Sequence, residues 1–207
     1  MKKVLVLAPH TDDGELGCGG TVARLLEEGS EVWFAVFSTC EESVPEGYPS
    51  DVLRQEFLSV MEHYGIPRER VSIFNFPVRR FTSHRQEILE ELVRLNRAIA
   101  PDLVLAPSLH DVHQDHHTIA EETIRAFKRT TILGYEEPWN NLKFNNQVYF
   151  LLEERHLLSK IQAISCYRSQ GKRPYTSEEY VRSLAVAHGV QVGRPYAEVF
   201  ETERIIF

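Results

Sequence analysis

Val4-Leu5-Val6-Leu7-Ala8-Pro9-His10-Thr11-Asp12-Asp13 decides how the chain is read. Consecutive apolar residues run to Ala8 and stop at a proline. Such a run is expected of a parallel strand buried on both faces. A histidine and two adjacent aspartates follow at once, then Gly14, Gly17, Gly19 and Gly20. In open α/β sheets, ligands bind beyond the carboxyl ends of the strands. No structural need places an imidazole and two carboxylates together there. The stretch therefore points to a bound metal and to chemistry done with it.

The same punctuation recurs along the chain. Residues 21–28 read as a helix closed by Gly29. Residues 32–37 read as a strand, 51–64 as a helix before Gly65, and 71–74 as a short strand. Helical spacing at Ile88, Leu89, Leu92, Val93 and Leu95 marks a helix over 85–99, stopped by Pro101. Residues 103–106 form a fourth strand, cut by Pro107. A helix is expected at 118–127, strands at 132–135 and 148–152, and helices near 154–164 and 177–187. An extended segment near 198–207 ends the chain. This alternation implies an α/β fold: a single-domain, Rossmann-like three-layer sandwich over residues 1–207, with a mostly parallel sheet and helices on both faces.

Composition narrows the function classes. A chain of 207 residues supports one sizeable core. Its formal net charge of −7 argues against a general nucleic-acid binder, which needs a basic surface. Cys18, Cys40 and Cys166 are scattered and odd in number, so neither a zinc ribbon nor a disulfide framework is indicated. Together with the lack of a membrane-length apolar run, this fits a cytoplasmic protein with no membrane span.

The loop after the fourth strand reads Ser108-Leu109-His110-Asp111-Val112-His113-Gln114-Asp115-His116-His117 and holds four of the nine histidines. In a doubly wound sheet of order 3-2-1-4-5, strands one and four are neighbours, and their loops face one crevice. His10, Asp12 and Asp13 would then meet His113, Asp115 and His116. Two histidines and a carboxylate, with positions left open, suit a catalytic zinc site rather than a closed structural one. Other first-row divalent metals fit the same donors. A dinucleotide site fits poorly. Val22 stands where G-x-G-x-x-G requires its last glycine, and Asp12, Asp13 and Glu15 would repel a pyrophosphate. The glycines instead suit a tight turn and close helix packing.

The two loops together resemble the PIG-L/LmbE-like zinc-dependent N-acetylglucosaminyl deacetylase family. Ala8-Pro9-His10-Thr11-Asp12-Asp13-Gly14-Glu15 with Gly19 and Gly20 is similar to its A-H-P-D-D-E-x-x-x-G-G pattern. His113-Gln114-Asp115-His116 is similar to its H-P-D-H. Arg54 and Glu56, Ser169-Gln170, and the stretch from Gly193 to Phe200 resemble later family segments more weakly. Thr11, Gly14 and Gln114 depart from the pattern without removing a ligand. The resemblance implies His10, Asp13 and His116 as zinc ligands and Asp12 as general base. It also implies His113 as oxyanion stabiliser or acid, held by Asp115. The implied reaction removes an N-acyl group, acetyl by the resemblance, from a small amino sugar, sugar conjugate or nucleotide-sugar. A homo-oligomer is also implied.

Arg54, Arg79 and Arg80 follow strands two and three and are candidates for an anionic part of the substrate. Trp139 offers a face for a sugar. Tyr196 is a further candidate beside the site. Two other readings stand beside this one: an amidase on a non-sugar or thiol-conjugate amide, and a metal-binding module without catalysis.

Overall fold

The computed structural model describes residues 3–206. Strand β1 (Lys3–Ala8) lies at the centre of the parallel part of a seven-stranded sheet. Its side chains alternate between two cores, as the pleat requires. Val4, Val6 and Ala8 pack with Val22 of α1 (Asp13–Glu27), Phe57 of α2 (Val52–His63) and Ala163 of α5 (Glu154–Ser165). Leu5 and Leu7 pack on the other face with Ile88 and Leu92 of α3 (Arg85–Ile99) and Ile119 of α4 (Gln114–Ala126). Burial on both faces explains the unbroken apolar run.

The strand order is β3-β2-β1-β4-β5-β7-β6. It is built from β2 (Glu31–Val36), β3 (Val71–Ile73), β4 (Leu103–Pro107), β5 (Thr131–Tyr135), β6 (Val148–Leu152) and β7 (Tyr196–Arg204). The first five strands pair in parallel, and β7 runs antiparallel to both β5 and β6. The expected order 3-2-1-4-5 is present, extended by β7 and β6. Helix α6 (Glu178–Gln191) packs through Val181 and Ala185 onto Leu157 and Leu16. No helix among the described residues is long and apolar enough to cross a membrane.

Two helices begin earlier than their sequences announce. Helix α1 starts at Asp13 instead of residue 21. Its glycines make no turn; they let the helix press against its neighbours. A Cβ at Gly17 would lie 2.3 Å from Cδ2 of Tyr135, and one at Gly20 would lie 2.5 Å from Cδ1 of Leu152. The helix breaks at Cys18, where φ is −143°. A break frees amide groups of the following turn. Glu198 accepts from the amides of Gly20 at 3.0 Å and Thr21 at 2.6 Å, and Lys160 Nζ donates to it at 2.6 Å. Glu198 thus caps the second half of α1 from another strand. Helix α4 starts at Gln114 instead of residue 118, because the His113 ring accepts from the Asp115 amide at 3.2 Å. Histidine is not among the usual N-cap residues. The extended segment expected to residue 207 is β7, which ends at Arg204; Phe207 lies outside the described residues.

Candidate metal centre

The carboxyl ends of β1, β4 and β5 are adjacent, so residues 9–12, 108–113 and 136–147 share one crevice. His10, Asp12, Asp13, His113, His116, Arg79 and Trp139 line a cavity of about 280 Å³ there.

Three side-chain atoms form a nearly equilateral triangle within it. His10 Nδ1 lies 3.1 Å from Asp13 Oδ2, His116 Nε2 lies 3.2 Å from the same oxygen, and the two ring nitrogens are 3.1 Å apart. A tetrahedral ion with bonds of about 2.0–2.1 Å holds its ligands about 3.3 Å apart. The far nitrogens fix the tautomers. His10 Nε2 meets Asp115 Oδ2 at 3.1 Å, and His116 Nδ1 meets Asp111 Oδ2 at 2.8 Å. An ionised carboxylate only accepts, so each far nitrogen carries the proton. With both rings neutral, two lone pairs would face a carboxylate oxygen, and the three acceptors converging in this buried site would need a cation between them. The residues present therefore fit a divalent metal, and the carboxylate behind each imidazole is the usual support of such a ligand.

The neighbouring groups are set by the same fields. Burial opposes charge on His10 and His116, but Asp13 and the other carboxylates outweigh it and raise both. Burial would raise the Asp13 carboxyl, but His116 and His10 hold it well below the usual range. Asp12 differs: burial and the Asp13 charge both push its carboxyl up. Its side chain does not cap α1. His113 is half-buried, and burial followed by the His116 and His10 charges lowers its pKa. Its Nδ1 accepts the Asp115 amide, which leaves Nε2–H as its donor. Deeper in, burial raises the Glu15 carboxyl to about 8, and its neighbour Tyr167 donates to the Thr11 carbonyl.

Asp115 stands somewhat apart from its expected place. Its carboxylate takes the Arg79 amide at 2.5 Å, the Phe81 amide at 3.1 Å and His10 Nε2. It orients His10 through its carboxylate and His113 through its backbone. The substrate candidates divide. Arg79 and Trp139 line the cavity, whereas Arg54 is exposed on α2 and Arg80 pairs with Glu42 at 3.9 Å. Tyr196 lies in a separate groove of about 640 Å³ between α1, β6 and α5, which none of the site histidines lines.

Sequence reasoning gave no role to several residues found here. Asp111 supports His116, and it stood in the quoted histidine loop; a ligating histidine's need for a second-sphere carboxylate could have found it. Glu137 follows β5 and lies 3.6 Å from His116 Nδ1. Asn140, Arg173 and Tyr175 also line the cavity. The last two come from an irregular segment far along the chain that carries no motif.

A family model described as PIG-L, GlcNAc-PI de-N-acetylase, matches residues 5–127. The uncharacterized deacetylase YaiS of Escherichia coli (strain K12) is 28% identical over 176 residues, covering 81% of this chain and 91% of that protein. The diacetylchitobiose deacetylase of Thermococcus kodakarensis is 24% identical, covering 96% of this chain and 82% of its own. A conserved protein of Thermus thermophilus superposes with a TM-score of 0.85 at 25% identity, covering 100% of this chain and 97% of that one. The family match spans more than half of the chain and includes both loops of the triangle, so the chain belongs to the PIG-L family.

Proposed function

We propose that this protein is a zinc-dependent hydrolase that removes an N-acyl group, acetyl in the simplest case, from an amino sugar or sugar conjugate. The observation that carries this reading is the triangle of His10 Nδ1, Asp13 Oδ2 and His116 Nε2. The names of its relatives, deacetylases acting on amide bonds, support the reaction class. A divalent ion at the triangle supplies charge that polarises an amide carbonyl and acidifies water.

The chain's own residues do the rest. Asp12 lines the cavity beside the triangle and is only partly exposed. It takes the proton from the attacking water and returns it to the departing amine. His113 Nε2–H donates to the carbonyl oxygen as negative charge grows there. A neutral imidazole suffices for that role, because the Asp115 amide already occupies Nδ1. Asp115 and Asp111 keep His10 and His116 turned inward.

The test is Asp12→Ala. Turnover of N-acetylglucosamine derivatives should fall by roughly 10²–10⁴-fold, the usual worth of a general base, while metal content stays at the wild-type level. Full activity in this variant would reject Asp12 as the base.

A further inference from the structure

The Asp12 side chain makes no capping hydrogen bond to α1, so its aim depends on the backbone that carries it. The peptide after Asp12 is held by its carbonyl, which accepts the Leu16 amide at 3.1 Å. The peptide before it joins Thr11 to Asp12, and its carbonyl accepts from the Tyr167 hydroxyl. A peptide unit is planar, so holding that oxygen holds the plane that contains the Asp12 nitrogen. No backbone amide among the described residues donates to the Thr11 carbonyl. The clamp on this side of Asp12 is therefore a side chain distant in sequence, beyond the end of α5.

Tyr167 is itself held. Its ring is buried in the core that includes Val4, Val22 and Phe57. A buried tyrosine hydroxyl needs a partner. Glu15 Oε2 is within reach at 3.3 Å, but the nearer Thr11 carbonyl receives the single hydroxyl proton. The segment after Tyr167 is tied to α2: the Ser169 amide and hydroxyl donate to the buried Glu56 carboxylate at 2.9 and 2.6 Å. Gln170 Nε2 donates to Ser169 Oγ at 3.2 Å, and Gln170 lines the cavity. These residues connect the core to the loop between His10 and Asp13. Tyr64 offers a contrast. It is also buried and donates to an α1 carbonyl, that of Gly19 at 3.2 Å. Its bond lies beyond the break at Cys18 and has no hold on Asp12.

We propose that Tyr167 is a positioning residue for the reaction: its hydrogen bond to the Thr11 carbonyl fixes the peptide that carries Asp12 and so aims the Asp12 carboxylate, while Ser169 and Glu56 hold Tyr167 in place. This role rests on the reading of Asp12 as general base. A misplacement of reacting groups by about 1 Å can cost about 10²-fold in rate, so loss of the clamp falls on kcat.

A double-mutant cycle with Asp12 tests it. Acetate release from an N-acetylglucosamine derivative is followed with enzyme in excess, so that slow turnover is measurable, and zinc content is determined for every variant. Tyr167→Phe keeps the ring and deletes the hydroxyl. It should lower kcat by roughly 10- to 100-fold and leave KM and zinc content at wild-type values. In an Asp12→Ala background the same change should have no further effect, because no carboxylate is left to aim. Ser169→Ala, which loosens the segment without touching Tyr167, should lower kcat to a smaller extent and again only where Asp12 is present. Tyr64→Phe deletes a comparable buried hydrogen bond and should leave kcat unchanged. Equal losses from Tyr167→Phe in the two backgrounds, a loss that missing zinc accounts for, or an unchanged kcat would overturn the proposal. Each of these leaves Asp12 as the base wherever Asp12→Ala is impaired. Full activity of Asp12→Ala would reject the base, and the positioning role with it.

Discussion

The carboxylate of Asp115 meets the far nitrogen of His10 at 3.1 Å. It thereby selects the tautomer whose near nitrogen faces Asp13 and His116. Asp111 does the same for His116 at 2.8 Å. Asp115→Asn and Asp111→Asn keep side-chain size but weaken this control. Each should lower zinc affinity about 10- to 100-fold, measured by competition with a chromogenic chelator. Unchanged affinity in both would show that the far nitrogens do not govern the triangle.

Gly17 allows α1 to lie against Tyr135, with a would-be Cβ 2.3 Å from the ring. The alanine variant must move the ring or the helix. Overpacking of this kind costs about 1–3 kcal/mol, so Gly17→Ala should lower the midpoint of urea unfolding accordingly. Tyr135 also donates to the Leu7 carbonyl at 3.0 Å, so the ring has little room to yield. A midpoint equal to wild type would mean that helix and ring separate freely.

Glu136 carries a pH dependence. Burial is the main cause that pushes its carboxyl from 4.5 up to about 7, with His188 Nε2 at 3.2 Å. A carboxyl raised in the folded state holds its proton there after the unfolded chain has released it. Its stabilising contribution is complete below pH 4.5 and is lost as pH rises to about 7. Glu136→Gln removes that loss. The variant should gain Tm relative to wild type at pH 8 compared with its difference at pH 5. A difference that does not vary with pH would contradict the raised carboxyl.

The sheet and the crevice were legible because two signals coincide. Apolar runs cut by Pro9 and Pro107 located β1 and β4, and the connection order made them neighbours. That pairing brings His10, Asp12 and Asp13 to His113, Asp115 and His116; the choice of His10, Asp13 and His116 among them is what the family resemblance implies. What stayed hidden depends on contacts distant in sequence. The start of α1 was masked by glycines whose reason is Tyr135 and Leu152, far along the chain. The start of α4 was masked by a histidine acting as a cap. The family resemblance implied Asp115 as a partner for His113, but the turn of α4 and the amides of Arg79 and Phe81 direct its carboxylate to His10. Arg173 and Tyr175 reach the cavity through two short 3-10 turns with no periodicity to read.

The most direct test is zinc titration of chelator-treated protein, followed by acetate release from an N-acetylglucosamine derivative that the untreated enzyme hydrolyses. The triangle predicts no release from the stripped protein, recovery that saturates at one zinc per chain, and no recovery at that stoichiometry in His116→Ala. Acetate release that survives complete removal of metal, or that zinc restores equally in His116→Ala, would contradict a reaction built on His10, Asp13 and His116.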